Sequence, residues 1–125
     1  MQYQTIDRAK LQQKMASHVL DNKDPASGLA LVNVLDATQF ERKHIPRSIN
    51  IPVDELDQFE ERFAKEKDII VYCASSDCDA SPRAAKALSE RGFTKVFDYE
   101  GGVADWEEGH LPMAGSAATL SRTLS

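Results

Sequence analysis

The 125-residue sequence has only two cysteines and one tryptophan, and it contains no long apolar run. No stretch approaches the ~20 apolar residues that a helix needs to cross a bilayer, so a membrane-spanning segment is not expected. The first residues, Met1 to Asp7, lack the basic start and apolar core of a signal peptide. Two cysteines without an export signal are more typical of reactive thiols than of a structural disulfide, and we expect a cytoplasmic location.

The sequence also lacks an excess of basic residues. Fifteen Lys and Arg stand against twenty Asp and Glu, which gives a formal net charge of −5. Nucleic acids and anionic membranes select proteins with basic patches, so neither is an expected partner. Two Cys and three His, with only the two Cys close together, fall short of the four ligands of a structural zinc site. Neither a metal nor an organic cofactor is expected, and no feature predicts an oligomeric state.

Strand and helix patterns alternate along a chain whose length suits one domain. Apolar runs at 29–35, 68–73 and 95–99 predict buried strands. Amphipathic and capped segments predict helices at 7–18, 38–43, 54–65, 82–91 and 103–108. Thr5 is the predicted cap of the first helix, whose apolar face includes Leu11 and Val19, and Asp36 is that of the second. Alternating strands and helices are typical of an α/β fold with a parallel sheet.

Cys73 closes the apolar run Asp68-Ile-Ile-Val-Tyr-Cys73 and so lies where a buried strand ends. Farther on, Ser81-Pro82 predicts the N-cap and first position of the next helix. The N–H groups and partial positive charge of a helix N-terminus lower the pKa of a thiol, which becomes a nucleophile at neutral pH. Cys73 is therefore a candidate catalytic nucleophile. The alternative is an inert thiol buried in a strand.

The residues between Cys73 and the helix form a candidate substrate-binding loop that is small and acidic. They are Ala74, Ser75, Ser76, Asp77, Cys78, Asp79, Ala80 and Ser81. The second thiol, Cys78, is a candidate resolving thiol for Cys73, a sulfur relay or a spacer. The loop has no Lys or Arg, so the nearest cation in sequence is Arg83. Arg83 is either an anion contact or a solvent-facing residue of the first helical turn.

Three segments, in this order, resemble the rhodanese homology domain. The first is 31–36 with the stretch Phe40-Glu-Arg-Lys-His-Ile-Pro-Arg-Ser-Ile-Asn-Ile-Pro52. The second is the strand, loop and helix around Cys73. The third is Gly92-Phe-Thr-Lys-Val-Phe-Asp-Tyr-Glu-Gly-Gly102, followed by Trp106 and Gly109. The resemblance implies an α/β fold whose central parallel sheet has helices on both faces. We expect residues 1–113 to form one rhodanese-like domain. Residues 114–125, small and polar, are expected to be a disordered tail.

The resemblance also implies a sulfurtransferase of the thiosulfate sulfurtransferase type, with Cys73 as its persulfide-carrying cysteine. Such an enzyme moves sulfane sulfur from a small donor to a nucleophilic acceptor, which is a small molecule or the thiol of a partner protein. This loop is longer than is common in the family, and Ala80 stands where the family often has arginine. Asp77 and Asp79 would repel the thiosulfate dianion. Two alternatives stay open: a persulfide carrier or sensing module that acts with a partner protein, and, less favoured, a phosphatase or arsenate reductase on the same fold.

Overall fold

A single parallel sheet organises the chain, for which a computed structural model describes residues 3–116. In these residues the strands are β1 (Gln4–Ile6), β2 (Leu29–Asn33), β3 (Ile49–Asn50), β4 (Asp68–Tyr72) and β5 (Val96–Tyr99). Their order across the sheet is β1-β5-β4-β2-β3, and each neighbouring pair is parallel. Strand β4 therefore lies at the centre of the sheet, where both of its faces are covered.

Helices cover both faces of the sheet. They are α1 (Arg8–Ser17), α2 (Ala37–Arg42), α3 (Asp57–Arg62), α4 (Ala80–Glu90) and α5 (Gly102–Glu108), with a 3-10 turn at Val53–Glu55. Alternate residues of β4 face opposite sides: Val71 packs in a core with α3 and α4, and Tyr72 packs in a core with α1 and α5. The α/β fold with a central parallel sheet and helices on both faces is thus confirmed.

The beginning of the chain differs from the prediction. Thr5 does not cap α1, because it lies in β1 and pairs with Asp98 of β5. The cap is Asp7, whose carboxylate accepts a hydrogen bond from the Lys10 N–H at 2.8 Å. α1 ends at Ser17, so Val19 falls outside it and is 74% exposed. A three-residue edge strand is too short to leave a periodic pattern in the sequence.

The helix after the Cys73 loop begins earlier than predicted. α4 starts at Ala80 with Asp79 in the N-cap position, so Ser81 belongs to the first helical turn. Ser81 is consequently not the cap: its side chain faces the sheet and is 1% exposed. The predicted helix at 54–65 is divided between the 3-10 turn and α3. The predicted cap of α2 is confirmed, because the Asp36 carboxylate accepts from the Gln39 N–H at 2.9 Å.

The first residues of the predicted tail fall within the described part of the chain. Ala114 exchanges two backbone hydrogen bonds with His44, of 3.0 and 2.9 Å, so contacts with the domain continue past the predicted boundary. The rest of that tail, 117–125, lies outside the described residues.

No helix between residues 3 and 116 has the length and apolar character that crossing a membrane requires. In the same part of the chain, no three His, Cys, Asp or Glu side chains are grouped so that they could hold a metal ion.

Candidate active site

Cys73 directly follows the central strand β4, at the carboxyl edge of the sheet. In open α/β folds, ligands bind outside the carboxyl ends of the strands. The thiol itself lies below the surface, because Cys73 is 1% exposed and packs in the core that Val71 and Ala84 share. The predicted position of Cys73 at the end of a buried strand is confirmed, and its role as nucleophile stays a prediction. The structure adds that the loop covers the thiol.

Helix α5 holds the base of the loop in place through the backbone. The Val103 N–H donates to the Cys73 carbonyl at 2.9 Å, and the Ala104 N–H donates to the Ala74 carbonyl at 2.8 Å. Gly102, with φ +63°, allows this close approach, because a Cβ at that position would collide with the Cys73 carbonyl oxygen. Gly102 thus belongs to the site, although its sequence context, a Gly-Gly pair, indicates only a turn.

Three oxygen atoms surround the Cys73 sulfur. They are the Ser81 Oγ at 3.4 Å, the Cys78 carbonyl oxygen at 3.6 Å and the Ser75 carbonyl oxygen at 3.9 Å. Carbonyl groups accept the S–H hydrogen but cannot donate to a thiolate, so these two contacts favour the neutral thiol.

The pKa of Cys73 depends on these surroundings. Burial raises the pKa of the Cys73 thiol, the Cys78 side chain raises it further, and the hydroxyl and N–H of Ser81 lower it. The prediction of a lowered pKa is therefore wrong. Its physical reason is that the loop covers the sulfur and turns two carbonyl groups toward it.

Cys78 is brought back toward Cys73 by a turn within the loop. The Cys78 N–H donates to the Ser75 carbonyl at 3.1 Å, which closes the turn. The Cys78 side chain packs against the same core that contains Cys73, and both cysteines are free thiols. The structure therefore brings the second thiol near the first, and its resolving role stays a prediction.

The charged residues of this segment lie at the surface. Asp77, Asp79 and Arg83 are not buried, and none of them is among the groups that act on the buried Cys73 thiol. Arg83 is exposed in the first turns of α4, and its role as an anion contact stays a prediction. The rim of the loop is acidic.

Asp98 is a buried carboxyl beside the site that the sequence patterns did not identify. It lies in β5, in register with Val71, and is 0% exposed. Neither carboxylate oxygen has a hydrogen-bond partner among the described residues. Burial raises the pKa of Asp98, and the nearby Ser81 hydroxyl lowers it without reaching hydrogen-bond geometry. The available signal was an aspartate inside the strand Val96-Phe-Asp-Tyr99, where an apolar residue is the usual occupant.

Two open cavities flank the loop. The larger, of about 830 Å³, lies beside β1 and the end of β5 and reaches the loop at Ser76. Arg8, which lines this cavity, donates to the Asp105 carbonyl at 2.8 Å. The smaller, of about 270 Å³, lies between α2 and α5 and reaches the loop at Ala74. A molecule can thus approach the loop from either side.

The chain is similar to a known protein family and to several curated proteins. A family model described as the rhodanese-like domain matches residues 10–109. Among curated relatives, the thiosulfate sulfurtransferase GlpE of Coxiella burnetii is 29% identical over 82 residues, which are 66% of this chain and 75% of the relative. The putative sulfur carrier protein YrkF of Bacillus subtilis is 28% identical over 83 residues, which are 66% of this chain and 44% of that relative.

Solved structures share the fold over most of the chain. A crystal structure of a Bacillus halodurans protein is similar with a TM-score of 0.75 and 28% identity, over 92% of this chain and 78% of the other. The rhodanese-related protein of Thermoplasma volcanium is similar with a TM-score of 0.71 and 25% identity, over 91% of this chain and 100% of the other.

Proposed function

The chain belongs to the rhodanese-like domain family, and on this premise we propose that it is a sulfurtransferase that carries sulfane sulfur on Cys73. The observation that carries the proposal is the position of Cys73, a free thiol directly after the central strand and beneath the loop that leads into α4. The similarity to a protein named thiosulfate sulfurtransferase supports it. A cytoplasmic location, where thiols stay reduced, suits this chemistry and stays a prediction.

The proposed reaction has two half-reactions. The Cys73 thiolate attacks the sulfane sulfur of a donor, a bond forms between Sγ and that sulfur, and the bond from that sulfur to the rest of the donor breaks. The electron pair of the broken bond leaves with the donor remnant. A nucleophilic acceptor then attacks the outer sulfur of the persulfide and returns Cys73 as a thiolate. This two-step covalent transfer predicts ping-pong kinetics.

A persulfide carrier that acts only with a partner protein is the second candidate. The acidic rim formed by Asp77 and Asp79 favours it, because these charges repel a small dianionic donor such as thiosulfate. The burial of Cys73 also favours a donor that first moves the loop. A relative that carries the name of a putative sulfur carrier protein is consistent with this candidate.

A phosphatase or arsenate reductase is less favoured. A tetrahedral oxyanion needs a cation and several N–H donors directed at it. This site has Ala80 in place of an arginine, and two carbonyl oxygens lie near the sulfur.

The test is the intact mass of the full-length protein after incubation with thiosulfate or, separately, with glutathione persulfide. We expect the mass of one added sulfur atom, located on Cys73 by peptide mapping and removed by cyanide as thiocyanate. Cys73→Ser should gain nothing, and Cys78→Ser should still gain it on Cys73. Turnover with these small donors alone would exclude a carrier that acts only with a partner protein. A failure of both donors to load Cys73 would overturn the sulfurtransferase proposal.

A further inference from the structure

Three of the buried polar side chains in the core between the sheet and α4 are Cys73, Ser81 and Asp98. Their exposed fractions are 1%, 1% and 0%. The Ser81 Oγ lies 3.4 Å from the Cys73 sulfur, and the same hydroxyl acts on the Asp98 carboxyl. Ser81 therefore contacts the thiol and lies on α4, which packs against β5, the strand of Asp98, and all three side chains are screened from water.

The surroundings of Asp98 do not explain its presence as a structural residue. A buried carboxyl without a partner is costly, and neither Asp98 oxygen has one among the described residues. In register, β4 places Val71 next to it and β1 places Thr5. The buried residues of α4 are uncharged: Ser81, Ala84, Ala85, Leu88 and Ser89. The cations of α4, Arg83 and Lys86, are exposed, and the charged group that acts on Asp98 is Glu100, which repels a second negative charge.

We propose that Asp98 accepts the proton of the Cys73 thiol through the Ser81 hydroxyl and so prepares the thiolate. The use of that thiolate for sulfur transfer rests on the proposed function, but the proton transfer involves only these three side chains. The Cys73 S–H proton passes to Ser81 Oγ while the Ser81 hydroxyl proton passes to an Asp98 carboxylate oxygen. The S–H bond and the original O–H bond break, and one O–H bond forms on each of Ser81 and Asp98. The negative charge moves from the carboxylate to the sulfur, and nothing is oxidised or reduced.

This transfer gives Asp98 the partner that it lacks. Once protonated, Asp98 donates to Ser81, and Ser81 donates to the thiolate, so both buried groups are hydrogen-bonded in the state that reacts. A carboxyl that binds its proton more tightly than usual is better matched to a thiol. The two groups also share one negative charge, which avoids two like charges in a dry core. Asp98 acts as a positioning residue, because it acts through Ser81 and does not contact the sulfur donor.

A simpler role for Asp98 predicts the opposite change in the reaction rate of Cys73 when Asp98 is removed. If Asp98 were only a fixed negative charge near Cys73, its removal would lower the pKa of the thiol and speed the reaction of Cys73. If it delivers the thiolate, its removal slows that reaction at neutral pH. The two roles are therefore separated by the direction of one change.

The experiment is the second-order rate of Cys73 alkylation by iodoacetamide against pH, in the full-length protein and at low reagent concentration. Mass spectrometry of the Cys73 peptide separates this thiol from Cys78. For the wild-type protein we expect the alkylation rate to rise twice with pH. The acid rise occurs where Asp98 ionises, and the alkaline rise occurs where the pair of Cys73 and Asp98 loses its last proton. Asp98→Asn should lose the acid rise and react roughly 10-fold or more slowly at neutral pH. No sulfur donor is used, so this result is independent of whether the protein transfers sulfur.

Variants on α4 provide the matched controls. Ser81→Ala should also lose the acid rise. Ser89→Ala should keep it. Ser89 lies on the same helix, and its hydroxyl is buried and has no hydrogen-bond partner among residues 3–116. Glu100→Gln should move the acid rise to lower pH, because it removes a charge that raises the pKa of Asp98. Alkylation of Asp98→Asn as fast as the wild-type protein or faster would overturn the proposal. If Asp98→Asn does not fold, an acid rise retained in Ser81→Ala would overturn it equally.

Discussion

The hydroxyl oxygen of Ser81 lies 3.4 Å from the sulfur of Cys73, closer than either loop carbonyl oxygen that contacts this sulfur. Unlike those two carbonyl groups, the Ser81 hydroxyl can both accept from S–H and donate to a thiolate. The contact joins the first turn of α4 to the end of the central strand, so a change at Ser81 should alter the chemistry of Cys73.

Cys73→Ser should abolish sulfur transfer and leave the fold intact. A hydroxyl in this buried position stays un-ionised at neutral pH and cannot form a persulfide. We expect transfer to fall by about a thousandfold or more, with an unchanged circular dichroism spectrum. Activity retained within a factor of about ten, roughly 1.4 kcal/mol in the barrier, would mean that another group carries the sulfur.

The main ionisation of the Cys73 thiol should lie above that of the same thiol in denatured protein. Burial raises its pKa, and the Ser81 hydroxyl partly opposes this effect. Ser81→Ala should therefore move the alkaline midpoint of Cys73 alkylation still higher. Site-resolved alkylation against pH, in native buffer and in guanidinium chloride, provides the comparison. A native midpoint below the denatured one would show that the loop N–H groups outweigh burial.

Asp98→Val should stabilise the protein, and by more as the pH rises. The folded-state pKa of Asp98 is raised, so the folded protein holds this proton when the unfolded chain has already released it. The contribution of Asp98 to the free energy of unfolding is therefore most favourable below the ordinary pKa of an aspartate. It is lost as the pH rises through the pKa of Asp98 in the folded protein. At neutral pH we expect a gain of about 1–3 kcal/mol in the free energy of unfolding. Urea titrations of both proteins at several pH values test this, and a difference that is constant with pH would contradict it.

Mild peroxide should convert Cys73 and Cys78 into an intraloop disulfide. The turn between Ser75 and Cys78 folds the second thiol back toward the first, and disulfide geometry requires Cα atoms within roughly 7 Å. The bond would block sulfur loading until a reductant removes it. Non-reducing peptide mapping is the measurement. Sulfinic acid on Cys73 with Cys78 still free would show that Cys78 does not resolve the oxidised thiol.

Gly102→Ala should disturb the site, and Gly92→Ala provides a control with a similar backbone. Both glycines have positive φ, of +63° and +100°, so alanine is strained at each, at a cost of about 1–3 kcal/mol. Of these two positions, only Gly102 would bring the new Cβ into collision with the Cys73 carbonyl. We expect sulfur transfer per folded molecule to fall in Gly102→Ala and to be kept in Gly92→Ala. Equal activities would mean that the loop base tolerates displacement.

The sequence was sufficient for the fold and for the place of Cys73 because both depend on strong local patterns. The apolar run that ends at Cys73 specifies a central buried strand, and the segments on either side of it specify the alternation of strands and helices. Ser81 was misassigned because Ser-Pro is a common helix start, and the actual start, at Ala80, has no side-chain cap to mark it. A shift of this size decides whether a hydroxyl faces solvent or the sulfur.

Asp98 and the pKa of Cys73 depend on contacts between distant segments. Asp98 is buried only because β1, β4 and α4 close around β5, and a single polar residue in a short strand does not indicate such an arrangement. The sign of the Cys73 shift depends on which backbone groups the loop turns inward, and a run of small and acidic residues does not specify them.

The covered position of Cys73 has a kinetic consequence. Because Cys73 is 1% exposed, we expect a reagent to reach its thiol only after the segment between Ser75 and Cys78 moves away from it. The base of that segment is fastened to α5, so the motion is confined to its outer part. At saturating concentrations, chemically different donors should therefore converge on one maximal rate of sulfur uptake, that of this motion itself. The identity of the donor would then affect the concentration that reaches half of this rate, and not the ceiling.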